Sequence, residues 1–451
     1  MGKPIEFATP IIVLGAGLSG SLMALYLARR GFQVEVYERR VDMRLQKIAA
    51  GKSINLAISV RGLHAMAEVG LADAVQAMCI PMPGRMIHAL DGSTALFPYS
   101  KDGQKAINSI SRLELNKLLM DAAEAMPGVR IHFQQRCLGV DLDSGRVQLQ
   151  DDTDGRLYTV EGQTVISCDG AFSGGRSSMF RSPRFDYSQE FHPAAYKELT
   201  FPPAADGSWA VEKNALHIWP RGRFMLIALP NLDGSFTVTL FYPAKGPDSF
   251  EQLDTAAKVE TFFRAQFPDA LALMPALATE FFENPTGDLV TVKCAPWVYQ
   301  DRLALVGDAA HAVVPFYGQG MNAAFEDCTA LNACLEGATD WADIFQRYDD
   351  ARVANGHAIA DLAIDNYVEM RDLSGDPAWQ FRKQIEHVLE REFPDRYVSR
   401  YELISFTRTP YAEALRRGFV NTDILMRLSQ GLSRIEDLDL DLARRLVVEY
   451  L

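Results

Sequence analysis

Ten residues near the start, Ile11-Ile12-Val13-Leu14-Gly15-Ala16-Gly17-Leu18-Ser19-Gly20, constrain the fold of this chain more than any other stretch. An apolar, β-branched run meets three glycines in G-x-G-x-x-G spacing. Leu22 to Arg30 then reads as a helix, and after Gly31 the alternating run from Phe32 to Glu38 returns to strand. This βαβ order is the fingerprint of a dinucleotide site. Gly15 serves the tight turn, Gly17 the approach of backbone to pyrophosphate and Gly20 the helix–strand packing, while the acid Glu38 faces a ribose hydroxyl. Leu18 and Ser19 stand within the glycine pattern ahead of that helix, at whose N-terminus free N–H groups and the helix dipole favour an anion. The stretch from Phe7 to Ala28 carries no charge, yet it reads poorly as a signal peptide, because Lys3 is offset by Glu6 and no A-x-A site follows. It reads poorly as a membrane span too, since a span of roughly 20 residues would have three glycines at its centre.

Size and charge narrow the field further. The 451 residues, 48% of them hydrophobic, suffice for two or three domains with a large core. A net charge of −13 argues against nucleic acid or an anionic membrane as partner, since both call for basic patches. The six cysteines, at 79, 137, 168, 294, 328 and 334, form no C-x-x-C pair, which suits scattered thiols in a reducing compartment, by default the cytoplasm. No metal-ligand cluster is expected.

Along the chain, Leu56 to Ala77 reads as helical, and so does 112 to 126 with its three-to-four apolar spacing. Strand signals follow through Asp169, and period-two alternation dominates from Tyr196 to Tyr242. From Gly320 onward the text is almost wholly helical. The expected architecture is α/β: a Rossmann-type domain assembled from 1–70, 106–180 and 290–375, a mainly β domain from 71–105 and 181–289, and a helical region over 376–451.

Two further motifs end strands: Asp169-Gly170-Ala171-Phe172-Ser173-Gly174-Gly175-Arg176 and Gly307-Asp308-Ala309-Ala310-His311. Each alone reads equally well as a turn. With the fingerprint, in this order and spacing, they resemble the motifs of the flavin-dependent aromatic hydroxylases, and the resemblance covers most of the chain. It implies the p-hydroxybenzoate hydroxylase-like fold and tightly held, non-covalent FAD. Glu38 and Arg39 would take the adenosine end, Leu56, Arg112, Asp169 and Asp308 would lie along the rest of the cofactor, and Gly320, Met321 and Asn322 would pass the isoalloxazine. Gly318 to Ala323 also scans as G-x-G-x-x-A, but it follows Pro315-Phe316-Tyr317 rather than a strand. With no second dinucleotide domain, NADPH is expected to bind only transiently. His311 reads mainly as a structural residue.

Strings such as "INSISRLELNKLL", "NALHIWPRG" and "RYELISFTRTPYAEA" place the chain nearest the soluble bacterial branch of that family that hydroxylates L-kynurenine with O2. That resemblance assigns Arg85, Tyr99, Asn366 and Tyr401 to the substrate. An amino-acid carboxylate suits a planar bidentate guanidinium supplemented by neutral hydrogen-bonders. It assigns Leu216, Met225, Leu229, Phe241, Pro315, Phe316 and Met370 to an apolar cage, which a flavin C4a-hydroperoxide needs if its oxygen is to reach the ring before peroxide is lost. Met225, Ile227 and Leu229 share one face of a strand, and Thr237, Thr239 and Phe241 share a face of another. Two positions depart from the branch: Tyr317 stands where His follows the Pro-Phe pair, and Lys52 where Arg is frequent. Tyr317 leaves substrate preference open. Competing readings are a same-fold hydroxylase of another aromatic acid and a flavoprotein reductase or sensor that hydroxylates nothing. A monomer and a homodimer are equally compatible with the sequence.

Overall fold

The computed structural model describes residues 4–45, 55–100, 103–369 and 377–451. Ile11–Leu14 lies between parallel neighbours Val34–Glu38 and Val165–Ser167, and all four of its side chains are buried. A strand so placed has no solvent face, which is why its sequence is an unbroken apolar run. The sheet extends in parallel to Val129–Phe133 on one side and Leu303–Leu305 on the other, and ends in the antiparallel Val298–Tyr299. Helix Leu18–Arg29, buried from Gly20 to Ala28, packs against helices Arg112–Glu124 and Gly320–Cys334.

The helical reading of Leu56 to Ala77 needs correction. Asn55–Ile58, Leu56 included, is a strand paired antiparallel with Ile107–Ser111, which also pairs with Ile80–Met82. A partner some fifty residues away overrides the local preference. Only Val60–Glu68 and Ala72–Ala77 are helical, divided at Gly70, whose φ of 78° lies in the left-handed region.

A seven-stranded sheet forms the second layer, in the order Thr286–Ala295, Asp186–Phe201, Phe236–Pro243, Met225–Pro230, Leu216–Pro220, Gly84–His88 and Thr94–Pro98. Its pairings are antiparallel except that between Leu216–Pro220 and Gly84–His88. Asp186–Phe201 begins ten residues before the alternation at Tyr196 signals a strand. One face carries Leu199, Phe201, Leu226, Ala228, Val238 and Leu240 against helices Ala256–Gln266, Pro268–Leu271 and Leu277–Glu283. Those helices lie inside a stretch that reads from sequence as mainly β. The opposite face is set by register: Met225 opposes Phe241, Ile227 opposes Thr239 and Leu229 opposes Thr237. Residues paired across strands point the same way, so the two alternating rows form a single surface.

The third region is helical. The 28-residue helix Trp341–Val368 packs beside Gly320–Cys334, and Tyr411–Ser429 packs on it. Pro377–Glu392, Tyr411–Ser429 and Leu440–Tyr450 close a separate small core around Ile385, Leu389, Ile424 and Val447.

Candidate active site

At the fingerprint the backbone leaves no freedom of residue choice at two of its glycines. Gly15 has φ of 89°, and a Cβ there would meet the Cys168 carbonyl oxygen at 2.7 Å; a Cβ on Gly20 would lie 1.9 Å from the Gly15 carbonyl oxygen. Gly17 differs, because a Cβ there meets nothing within 4 Å. It is the N-cap of helix Leu18–Arg29, which has neither a capping side chain nor an acid in its first turn. The first-turn N–H groups of Leu18, Ser19 and Gly20 therefore have no partner from a capping side chain, and the backbone at Gly17 borders open space, a cradle that fits the pyrophosphate of FAD. Glu38, 5% exposed, closes the next strand and accepts from the Ala16 N–H at 2.9 Å and from the Arg40 N–H and Nε, each at 2.9 Å. These bonds outweigh burial and hold its carboxyl below the ordinary range. Arg40, not the exposed Arg39, contacts the acid.

The other two motifs lock onto this cradle. Asp169 accepts from Ser167 and from the N–H groups of Gly174 and Gly175, at 2.8 and 3.3 Å, so its carboxylate caps the short helix that follows. Arg176 donates from Nη1 to the Ala309 carbonyl at 2.8 Å, joining the second motif to the third. Gly307, φ 64°, fits between Ser19 and Ala324, where a Cβ would come within 3.1 and 3.0 Å. Asp308 follows it, exposed on the open side, and Arg112 is exposed at the start of its helix. Asn322 staples the turn at Gly318 to the strand of Leu56: its Nδ2 donates to the carbonyls of Ala57 and Gly318, and its Oδ1 accepts from the Ser59 N–H. Its amide is thus committed to protein, leaving backbone at Gly320 and Met321 for a ligand. His311 is 1% exposed, bonded to Asp327 and stacked on Trp297 at 4.8 Å, as expected of a structural residue.

The expected substrate residues converge from distant parts of the chain. The Arg85 guanidinium lies 4.6 Å from the Tyr401 ring and 5.4 Å from the Tyr99 ring. Tyr99 stacks on Tyr401 at 5.2 Å, and Tyr401 on Tyr317 at 5.7 Å, giving a column of three rings with the cation at its side. The Arg85 Nε is buried and has no hydrogen-bond partner among the described residues. Burial opposes its charge, but the Tyr401 and Tyr99 side chains outweigh it, so its pKa rises and the cation is secure. Burial likewise pushes up the Tyr99 and Tyr317 hydroxyls, which stay protonated as donors.

Beside this column lies the apolar surface of the sheet. Met225, Phe241, Phe316 and Tyr317 share one buried cluster; Leu229 belongs to a neighbouring one that Leu216, Tyr99 and Phe406 flank. Phe241 meets Phe316 at 5.1 Å. Asn366 donates from Nδ2 to the Phe316 carbonyl at 2.8 Å, which ties it to the Pro315–Tyr317 turn; Pro315 itself is exposed. Met370 and Lys52 lie outside the described residues.

Some residues at the site carry no local signal in the sequence. Phe406 packs on Tyr99 and Tyr401, at 5.9 and 6.0 Å. Glu369 pairs with Arg400 at 3.0 Å and Lys383 at 3.6 Å. Burial works against the Glu369 charge, but Lys383, Arg400 and Arg85 overcome it and hold the carboxyl below its ordinary value. Thirty-one residues separate Glu369 from Arg400, so no spacing rule could find the pair. Arg400 does precede Tyr401 directly, the one hint available.

The fold and the cradle define an FAD-binding oxidoreductase, and residues 8–363 match the family model described as "FAD binding domain". Among solved structures, the tetrameric form of 2-methyl-3-hydroxypyridine-5-carboxylic acid oxygenase superposes with a TM-score of 0.68 at 19% identity, over 82% of this chain and 93% of that one. The tetracycline destructase Tet(51) superposes with a TM-score of 0.61, also at 19% identity, over 86% and 97%. At such identities these likenesses establish the fold alone. Two curated relatives are much nearer in sequence: kynurenine 3-monooxygenase of Myxococcus xanthus, 51% identical over 97% of this chain and 94% of the relative, and that of Dictyostelium discoideum, 47% identical over 98% of both. The chain belongs to the kynurenine 3-monooxygenase family, whose members are FAD-dependent monooxygenases.

Proposed function

We propose that this protein hydroxylates L-kynurenine at ring carbon 3, consuming NADPH and O2, as a cytoplasmic monomer or homodimer. One observation supports the substrate above all others: a buried guanidinium with an N–H that has no partner among the described residues, flanked by two tyrosines and beside an apolar cluster. A ligand that satisfies both halves has a carboxylate at one end and an aromatic body at the other. Arg85 would bind the carboxylate by two parallel hydrogen bonds, and the Tyr99 and Tyr401 hydroxyls would donate the rest. Leu216, Met225, Leu229, Phe241, Phe316 and Tyr317 would hold the aminophenyl ring and keep water from it. Asn366 would act by fixing Phe316.

Bound FAD supplies the redox chemistry and the activation of oxygen. The fingerprint N–H groups of Leu18, Ser19 and Gly20 would hold its pyrophosphate, Glu38 its ribose, and Arg112 and Asp308 its middle. The N-terminal end of helix Gly320–Cys334 would set positive potential beside its ring. No side chain is required as a nucleophile. What the protein supplies is the relative placement of ring and cofactor.

The test is NADPH oxidation by the purified yellow protein with and without L-kynurenine, with 3-hydroxykynurenine followed by chromatography and peroxide by a coupled assay. Kynurenine should accelerate NADPH loss, and hydroxylated product should account for most of it. Peroxide alone, with a fully reducible flavin, would sink the substrate assignment and point to another aromatic acid.

A further inference from the structure

The helical region that delivers Tyr401 is held against the FAD-binding domain by a buried chain of charges that the hydroxylation chemistry does not itself use. Arg61, on helix Val60–Glu68, is 1% exposed. Its Nη1 donates to Glu326, its Nη2 to the Thr409 carbonyl and its Nε to the Ile404 carbonyl at 3.4 Å, and its guanidinium lies 4.0 Å from the Tyr411 ring. One arginine thus grips both ends of the segment from Ile404 to Tyr411, which begins three residues after Tyr401. The second oxygen of Glu326 accepts from Arg352 Nη1 at 2.8 Å, and Arg352 Nε donates to Asp327 at 2.8 Å. Asp327 in turn accepts from the Gly307 N–H at 3.1 Å and from His311, both in the third cofactor motif. A parallel tie runs from the Tyr411 hydroxyl to Gln319 Oε1 at 2.9 Å, one residue before Gly320.

A buried ion pair is a poor source of net stability, because desolvation of the charges offsets their attraction. Its use is geometric: a planar guanidinium with several fixed acceptors admits one arrangement and penalises the rest. We infer that Arg61 is a positioning residue that couples the cofactor motif to the Tyr401 segment, so that the aromatic column of the substrate site is registered against the flavin cradle. Arg61 is not among the residues assigned to either ligand. It acts through Glu326 on one side and through the Thr409 and Ile404 carbonyls on the other. The inference rests on the kynurenine reading for its kinetic consequence but not for its structural one.

Two variants and two readouts test it. Arg408 is exposed and its peptide bond to Thr409 lies within the gripped segment, so trypsin cleavage there, followed by mass spectrometry on FAD-free protein, reports the grip without any turnover. Arg61→Met should speed that cleavage by roughly two- to thirtyfold, the fold-change to which coupling energies of about 0.5–2 kcal/mol convert. In the FAD-loaded enzyme it should raise KM for kynurenine and the peroxide fraction while FAD affinity stays within about twofold. Tyr411→Phe, which removes only the hydroxyl bond to Gln319, should move the same quantities in the same direction by less. If Arg61→Met does not fold, Arg61→Lys, which keeps the charge but loses the planar fork, takes its place. Unchanged cleavage at Arg408 with unchanged KM and coupling in the folded variants would overturn the inference. If wild-type enzyme ignores kynurenine while Arg61→Met still accelerates cleavage, the strut stands and the substrate assignment falls.

Discussion

The two halves of the site are built on opposite plans. The cofactor cradle is made of backbone: strand, turn, helix and strand within residues 11–38, with glycines where side chains would collide. The proposed substrate site is made of side chains delivered from afar, with Arg85, Tyr99, Tyr317 and Tyr401 meeting from four separate stretches of the chain. A backbone site tolerates no substitution at its contact points yet is indifferent to distant residues. A side-chain site has the reverse character, and each prediction below probes that division.

The largest effect should come from Gly20→Ala, which places a methyl 1.9 Å from the Gly15 carbonyl oxygen. Helix and turn must separate, at about 3 kcal/mol or more, and the protein should purify colourless. Gly17→Ala is the informative partner, because its methyl enters open space. Its FAD-free thermal unfolding should match wild type while FAD affinity, read by flavin fluorescence, falls about tenfold or more as the methyl meets the pyrophosphate. Equal loss of stability in both variants would mean that Gly17 is structural and the cradle is misplaced.

Arg85→Ala should act on the other half alone. Truncating one partner of a buried, hydrogen-bonded charge pair costs about 2–5 kcal/mol, so KM for kynurenine should rise by roughly two orders of magnitude or more with the flavin spectrum intact. Arg85→Lys should recover little of this, since an ammonium cannot reproduce the fork. A normal KM in Arg85→Ala would remove the carboxylate anchor from the proposal.

This division also explains what the sequence disclosed. Glycine spacing, a β-branched strand and a terminal acid are local features with local consequences, so the cradle and the parallel sheet were legible from residues 11–38. The single apolar face of the sheet was half legible: alternation identified each row, but only register, with Met225 opposite Phe241, shows that both rows form one wall. Arg85, Tyr99 and Tyr401 carry no local mark, and only family resemblance points to them. Leu56 was misread because its strand partner is far away in sequence. The ties of Glu369 to Arg400 and of Arg61 to Glu326 were invisible, since pairing across 31 and 265 residues leaves no periodic trace.

A stability measurement separates the rear of the substrate sheet from its working face. His217, 1% exposed, donates from Nε2 to the Glu212 carbonyl at 2.7 Å and faces His88 Nε2 through Nδ1 at 2.9 Å. Burial is the main cause that lowers its pKa from 6.5 to about 4, and it lowers that of His88 as well. Between about 4 and 6.5 the unfolded chain therefore binds the proton that folded His217 refuses, so stability must rise with pH across this window, by about 3 kcal/mol from His217. Denaturant midpoints at several pH values should show the rise in wild type and a flatter profile in His217→Gln. FAD affinity of the folded variant should not change. A slope of the opposite sign would mean that the histidine is charged in the folded protein.

The smallest effect falls where the two halves touch. Tyr317 stacks on Tyr401 in the substrate column, yet it sits one residue before Gly318, whose carbonyl accepts from Asn322 in the loop proposed to line the flavin. Tyr317→Phe keeps the ring and should change KM by less than about fivefold; Tyr317→Ala loses the stack, worth about 0.5–1.5 kcal/mol, and should raise KM by up to roughly tenfold. If the backbone plan and the side-chain plan are separable, FAD affinity stays constant in both variants, because Asn322 rather than Tyr317 fixes the loop. A parallel fall in FAD affinity in Tyr317→Ala would show that the column also shapes the cradle, and the boundary drawn between the two halves would then lie on the far side of Gly318.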